Sequence, residues 1–165
     1  MMRKIFALVL FTASAALTFA ADPAEGFWVS IEEKTGKPAA GWEIYIQNGR
    51  LYGRILSIAG FSQDTRAANC RDNYRDFPVQ GRVSEMPVVG TTWIFGLLPG
   101  GRPGLWKDGH VIDPAEGRIY GCKIIFHPAD KKFRTDTLEM RGTFGPFGRS
   151  QFWRRATHAE AASLN

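Results

Sequence analysis

Cysteine and histidine are scarce in this sequence. Cys70 and Cys122, with His110, His127 and His158, are all it has of the two. None of the close spacings of a zinc site occurs among them, so no metal is expected. The sequence has no His-Glu-x-x-His helix, Walker loop or dinucleotide fingerprint. It also has no Gly-x-Ser-x-Gly elbow, and Gly148-Arg149-Ser150 lacks the second glycine. Gly100–Gly104 is glycine-rich, but Pro103 interrupts it and it reads as a turn. No enzyme class and no cofactor is indicated. His110 is the best lone titrating candidate, with Asp108 close by in sequence. Basic residues are scattered: beyond the N-terminus only Lys131-Lys132 and Arg154-Arg155 are adjacent. Nucleic-acid binding needs a basic stripe, so no nucleic-acid partner is expected.

The apolar run at the N-terminus is short. Arg3 and Lys4 precede unbroken apolar sequence over Ile5–Phe11, and Thr18-Phe19-Ala20 offers small residues on either side of a phenylalanine. This is the three-part pattern of a secretory signal peptide. It falls short of the roughly 20 apolar residues that span a bilayer, so no stable membrane insertion is expected. Cleavage near Ala20 makes the mature protein periplasmic or secreted. The formal charge of +5 then falls to +3, because Arg3 and Lys4 leave with the leader. The expected organisation is a signal peptide at 1–20, one domain at 21–157 and a C-terminal tail or short helix at 158–165. In an oxidising compartment an even cysteine count reads as a disulfide. Cys70–Cys122 is the only intramolecular pairing, with two free buried thiols as the alternative.

What is abundant is turn chemistry and alternation. The chain carries 18 glycines and 9 prolines, and no segment of eleven residues keeps a clean helical period. Trp42, Ile44 and Ile46 share one face of a strand that ends at Asn48-Gly49, the strongest short hairpin signal. Further strands are expected over 27–31, 51–58, 91–98, 105–112, 119–127, 137–144 and 150–155. In the fifth, Trp106, His110 and Ile112 are in phase. In the sixth, Tyr120, Cys122, Ile124 and Phe126 share a face. About eight short-linked strands predict an all-β antiparallel up-and-down barrel, since closure removes exposed edges. A two-sheet sandwich is the alternative. Residues 59–87 are the exception to short turns, and a stretch of that length is either a binding loop or a solvated one.

Gly26-Phe27-Trp28 opens the first strand and Phe152-Trp153-Arg154-Arg155 closes the last. In a closed meander these strands are neighbours, so Arg155 can lie over the Trp28 indole, a cation–π contact worth about 0.5–2 kcal/mol. This pattern resembles that of the lipocalins and fatty-acid-binding proteins, the calycins. A more specific resemblance covers nearly all of the chain after the leader. It rests on Asp22–Trp28, Asn48–Ile55, Met86–Gly90, Gly109–Cys122, Leu138–Gly142 and Gly148–Arg155. In order and spacing these are similar to a secreted bacterial family known as domain-of-unknown-function family 2147. The resemblance implies a lipocalin-like barrel outside the cytoplasm and carries no reaction. Relatives often have more than one cysteine in the long loop. Cys70 stands alone here, so only the Cys70–Cys122 bridge is carried over.

The aromatic strands give the functional expectation. Trp42, Trp93, Phe95, Trp106, Tyr120 and Met140 are the candidate lining of a ligand cavity, with Arg54 supplying charge for a carboxylate or phosphate head. Small barrels either fill their interior or leave room for one ligand. The expected function is therefore a periplasmic binding module for a small hydrophobic, amphipathic or lipid-like molecule. The alternative is a packed envelope module with a protein partner.

Overall fold

The computed structural model describes residues 21–164. The signal-peptide pattern lies outside the described residues. The strands are β1 (Gly26–Ile31), β2 (Pro38–Gln47), β3 (Arg50–Ile58), β4 (Thr92–Pro99), β5 (Leu105–Asp113), β6 (Arg118–His127), β7 (Thr137–Phe144) and β8 (Phe147–Ala156). Each pairs antiparallel with the next, and β8 pairs with β1, so the sheet closes into an eight-stranded up-and-down barrel. Local chemistry makes the hairpins. Asn48 and Gly49 both take positive φ, 51° and 71°, as a two-residue turn between twisted strands requires.

The ladder puts one set of alternate residues inside. Trp28 lies opposite Trp42 and Arg155, Trp42 opposite Ile55, and Ile44 opposite Gly53. Cys122, Ile124 and Phe126 face Gly142, Met140 and Leu138. Leu138 and Met140 in turn face Trp153 and Gln151. Trp28, Ile44, Leu51, Ile94, Leu97, Ile124, Leu138 and Trp153 are at most 1% exposed and form the core. Gly53 is required inside, because a Cβ there would stand 2.8 Å from the Ile44 side chain and 3.2 Å from Ile94.

One end of the barrel is plugged. The Arg155 guanidinium stacks on Trp28 at 4.1 Å and donates to the carbonyls of Pro23 and Glu25. Trp28 Nε1 donates to the Ala24 carbonyl at 2.9 Å. The Asp22 carboxylate accepts from the Gly104 amide and from Trp106 Nε1. The expected Trp28–Arg155 closing pair is thus present, and it anchors the segment that stops the base. Gly26 adopts φ 119°, and a Cβ there would come within 3.2 Å of Arg155 Nη1.

Two segments dress the outside. After β8 comes a short helix, α1 (His158–Ala162), capped reciprocally by Thr157 and Glu160. Its Ala161 is fully buried, and Ser57 Oγ donates to the Ala161 carbonyl. The expected tail is therefore a seated helix. The long connection between β3 and β4, residues 59–91, is mostly exposed but is pinned to the barrel by a few buried side chains. Ala67, Cys70, Tyr74, Val83, Met86 and Val88 are buried, and Tyr74 Oη donates to the Gly117 carbonyl at 2.7 Å.

The disulfide expectation is corrected. Both cysteines are free. Cys70 sits against the β5–β6 turn, its Sγ 3.9 Å from the Pro114 carbonyl and its Cα beside Gly117. Cys122 lies five residues further along β6 and faces the interior. That is roughly 16 Å of strand, far beyond the 4.4–6.8 Å between Cα atoms that a bridge allows. Burial raises the pKa of both thiols and keeps them protonated.

Candidate functional site: a cavity at the open end of the barrel

The end of the barrel opposite the plug holds a cavity of about 350 Å³. β1, β2, β5, β6, β7 and β8 contribute to it where they meet the rim. Trp42, Val111 and Met140 supply apolar wall, and Tyr120, Gln151 and Arg149 bring polar groups. The floor is Trp42, on which the fully buried Trp153 stacks with ring centroids 4.9 Å apart. Below it the interior is filled as far as Trp28 and Phe126, which meet edge to face. The barrel is thus packed in its lower half and hollow in its upper half.

Phase along the strands explains the lining. Arg149, Gln151, Trp153 and Arg155 alternate on the inner face of β8, opposite Gly142, Met140 and Leu138 of β7. Gly142 leaves space where a larger side chain would fill the cavity, since a Cβ there would meet only Tyr120, at 3.8 Å. The polar groups are mostly donors. Gln151 Oε1 accepts from Trp153 Nε1, which turns its amide nitrogen to other partners. Arg149 donates to Glu33 at 2.8 Å across the edge of the mouth, and this pairing lowers the Glu33 pKa. The acidic member, Asp113, uses its carboxylate on the amides of Ala115 and Glu116. Among the described residues, Trp42 Nε1 is the buried side-chain polar atom without a hydrogen-bond partner.

The expected lining residues divide. Trp42, Tyr120 and Met140 come together in the cavity, while four others lie elsewhere. Trp106 is buried at the plugged end, bound to Asp22. Trp93 and Phe95 pack on the outer face beneath the long connection, where Phe77 meets their rings at 6.0 and 5.4 Å. Trp93 Nε1 donates to the Val88 carbonyl. Arg54 is half-exposed outside the barrel, bridged to Glu43 and over the Tyr45 ring. Arg149 and Gln151 join the cavity without having been among the expected lining, although their spacing of four and two from Trp153 puts them on its face.

His110 is also displaced from its expected phase. A bulge between Trp106 and Gly109, with Asp108 at φ 60°, shifts the alternation. Gly109 and Val111 therefore face inward with Trp106. His110 lies outside against Phe95 at 5.6 Å, in a separate outer groove with Arg50, Asp76 and Asp108.

A closed eight-stranded meander, a base plugged under a Trp–Arg pair and a hollow upper half define a lipocalin-like barrel. A solved structure supports that class: a Helicobacter pylori protein, HP1028, described as belonging to the lipocalin family. It shares the fold at a TM-score of 0.62 and 17% identity, over 83% of this chain and 85% of that one. At that identity the likeness speaks for the fold alone. The family model for "Uncharacterized protein conserved in bacteria (DUF2147)" matches residues 26–155, and the chain belongs to that family. No curated protein matches the chain.

Proposed function

We propose that this protein is an exported binding module that holds one small amphipathic molecule in the open-end cavity, with an anionic head at Arg149. The observation that carries the reading is the cavity itself. Its volume of about 350 Å³ falls at the lower end of the range of small-ligand pockets, and such sites join apolar walls to a few placed polar groups. Arg149 takes the role expected of Arg54. A carboxylate or phosphate entering the mouth would exchange with Glu33 for its guanidinium, a bidentate acceptor geometry that arginine favours. The polar groups of the mouth are suited to holding a head group, and the reading is of binding rather than catalysis. Export rests on the leader pattern of residues 3–20, and the periplasm or the exterior is the proposed location.

Trp42 and Trp153 report on the cavity. Titration with dodecanoate should change their fluorescence saturably, while dodecanol should bind at least tenfold more weakly. Arg149→Gln should abolish the preference for the acid. Native mass spectrometry of protein taken from the periplasm should show a co-purified mass. A flat dodecanoate titration with no bound mass would exclude the reading.

A further inference from the structure

The rim of the mouth carries a second feature that ligand binding does not require. β7 and β8 are joined by only Gly145 and Pro146, and Phe144 and Phe147 face each other across the turn. These rings are 62% and 76% exposed, and Phe61, just past β3 at the same end, is 61% exposed. The sole aromatic neighbour of Phe144 among the described residues is Tyr120, edge-on at 6.3 Å. Phenylalanines paired on a rigid hairpin tip are not scattered surface apolar residues of the ordinary kind. The ladder behind them already fixes their position, so ordering the tip on a partner costs little entropy.

Charge points to the partner. Met140–Gln151, the whole hairpin end, contains Arg141 and Arg149 and no acidic residue; Glu33 of the β1–β2 turn pairs with Arg149, while Arg141 is exposed and donates to the Ser150 hydroxyl. Arg141 lies three residues behind Phe144, about 10 Å along the strand. A convex tip of two aromatic rings, with the Arg141 guanidinium one head-group depth behind, matches the layering of a bilayer interface. A protein partner would need a pocket for two rings side by side. We infer that the β7–β8 hairpin docks the barrel, mouth first, on a lipid bilayer with anionic head groups. Gly142 and Arg149 belong both to this hairpin and to the cavity wall. Docking would therefore set the mouth against the lipid. That last link alone rests on the ligand reading.

Co-sedimentation with vesicles of phosphatidylglycerol and phosphatidylcholine in equal parts tests the inference, with phosphatidylcholine vesicles alone as the comparison. The protein should bind the anionic vesicles and bind the neutral ones at least fivefold more weakly. The double variant F144S/F147S should lose at least tenfold in vesicle affinity while keeping its thermal midpoint and its dodecanoate titration. Phe147→Trp should show a blue-shifted emission on the vesicles and quenching by brominated lipid. Absence of binding to anionic vesicles would overturn the inference, as would equal binding by the double variant. It would also fall if the double variant only abolished self-association in sedimentation without lipid, since the tip would then meet a second copy. Dodecanoate titration without vesicles reads the cavity separately, so each proposal can fail alone.

Discussion

Arg155 meets three demands with one side chain. It covers Trp28, ties down the carbonyls of Pro23 and Glu25, and lies 3.7 Å from the Asp136 carboxylate. Arg155→Met keeps the stem but loses the planar fork and leaves two carbonyls without their donor. The expected loss is about 2–4 kcal/mol in urea unfolding. Arg155→Lys should fall between, because an ammonium cannot stack flat and serve both carbonyls. Glu139 governs a pH response. Burial raises its pKa, but hydrogen bonds from Ser150 and His127 outweigh that and hold it below its usual 4.5. A carboxyl depressed in the folded state contributes stability above its unfolded pKa and loses it as pH falls through the folded value. Thermal midpoints should therefore drop below about pH 4.5, and Glu139→Gln should flatten that part of the profile. The cysteines give a simpler test. A thiol reagent should find two reactive groups per chain in denaturant and almost none in the native state, since both thiols are buried and protonated.

Among the elements, α1 depends on a single absence. A Cβ on Gly41 would stand 1.7 Å from the Ala161 carbonyl oxygen. Gly41→Ala should therefore unseat the helix without opening the barrel, at a cost of about 1–3 kcal/mol. Hydrogen exchange at residues 160–164 should rise towards unprotected rates while β6 and β7 stay protected. The strands also show where sequence reading works and where it fails. β7 was legible because Leu138, Met140 and Phe144 share one face while Thr137, Glu139, Arg141 and Thr143 hold the other. β4 was not: the connection over its outer face buries Trp93 and Phe95 while Ile94 and Leu97 fill the interior, so both faces look like core. β5 misled for another reason. The extra residue at its bulge moves every later side chain to the opposite face, and Asp108-Gly109, an aspartate able to take positive φ followed by a glycine inside a strand, is the signal for it. Arg54 could have been placed, since Leu51, Gly53 and Ile55 already claim the inner face of β3.

At the scale of the whole molecule, the barrel, its strand count and its closing pair followed from alternation, turn residues and the two ends of the chain. The cavity did not. A hollow and a filled interior use the same aromatic residues, and only the positions of Gly142 and Arg149 distinguish them. Filling the hollow should separate binding from stability. Gly142→Leu should abolish dodecanoate binding and change the thermal midpoint little, because it adds apolar contact where there is space.

The plug at the base has a consequence for the order of assembly. Asp22 is held by Gly104 and Trp106, Pro23 and Glu25 by Arg155, and β1 by β8. The first residues of the domain thus have partners that arrive in the middle and at the very end of the chain. No stretch of the emerging chain can complete the base early, and its leading end stays unfastened until the last strand has joined. Contacts so distant along the chain make for slow closure. During that interval the first strand offers an open edge, the period when a chaperone or a protease would find this protein most accessible.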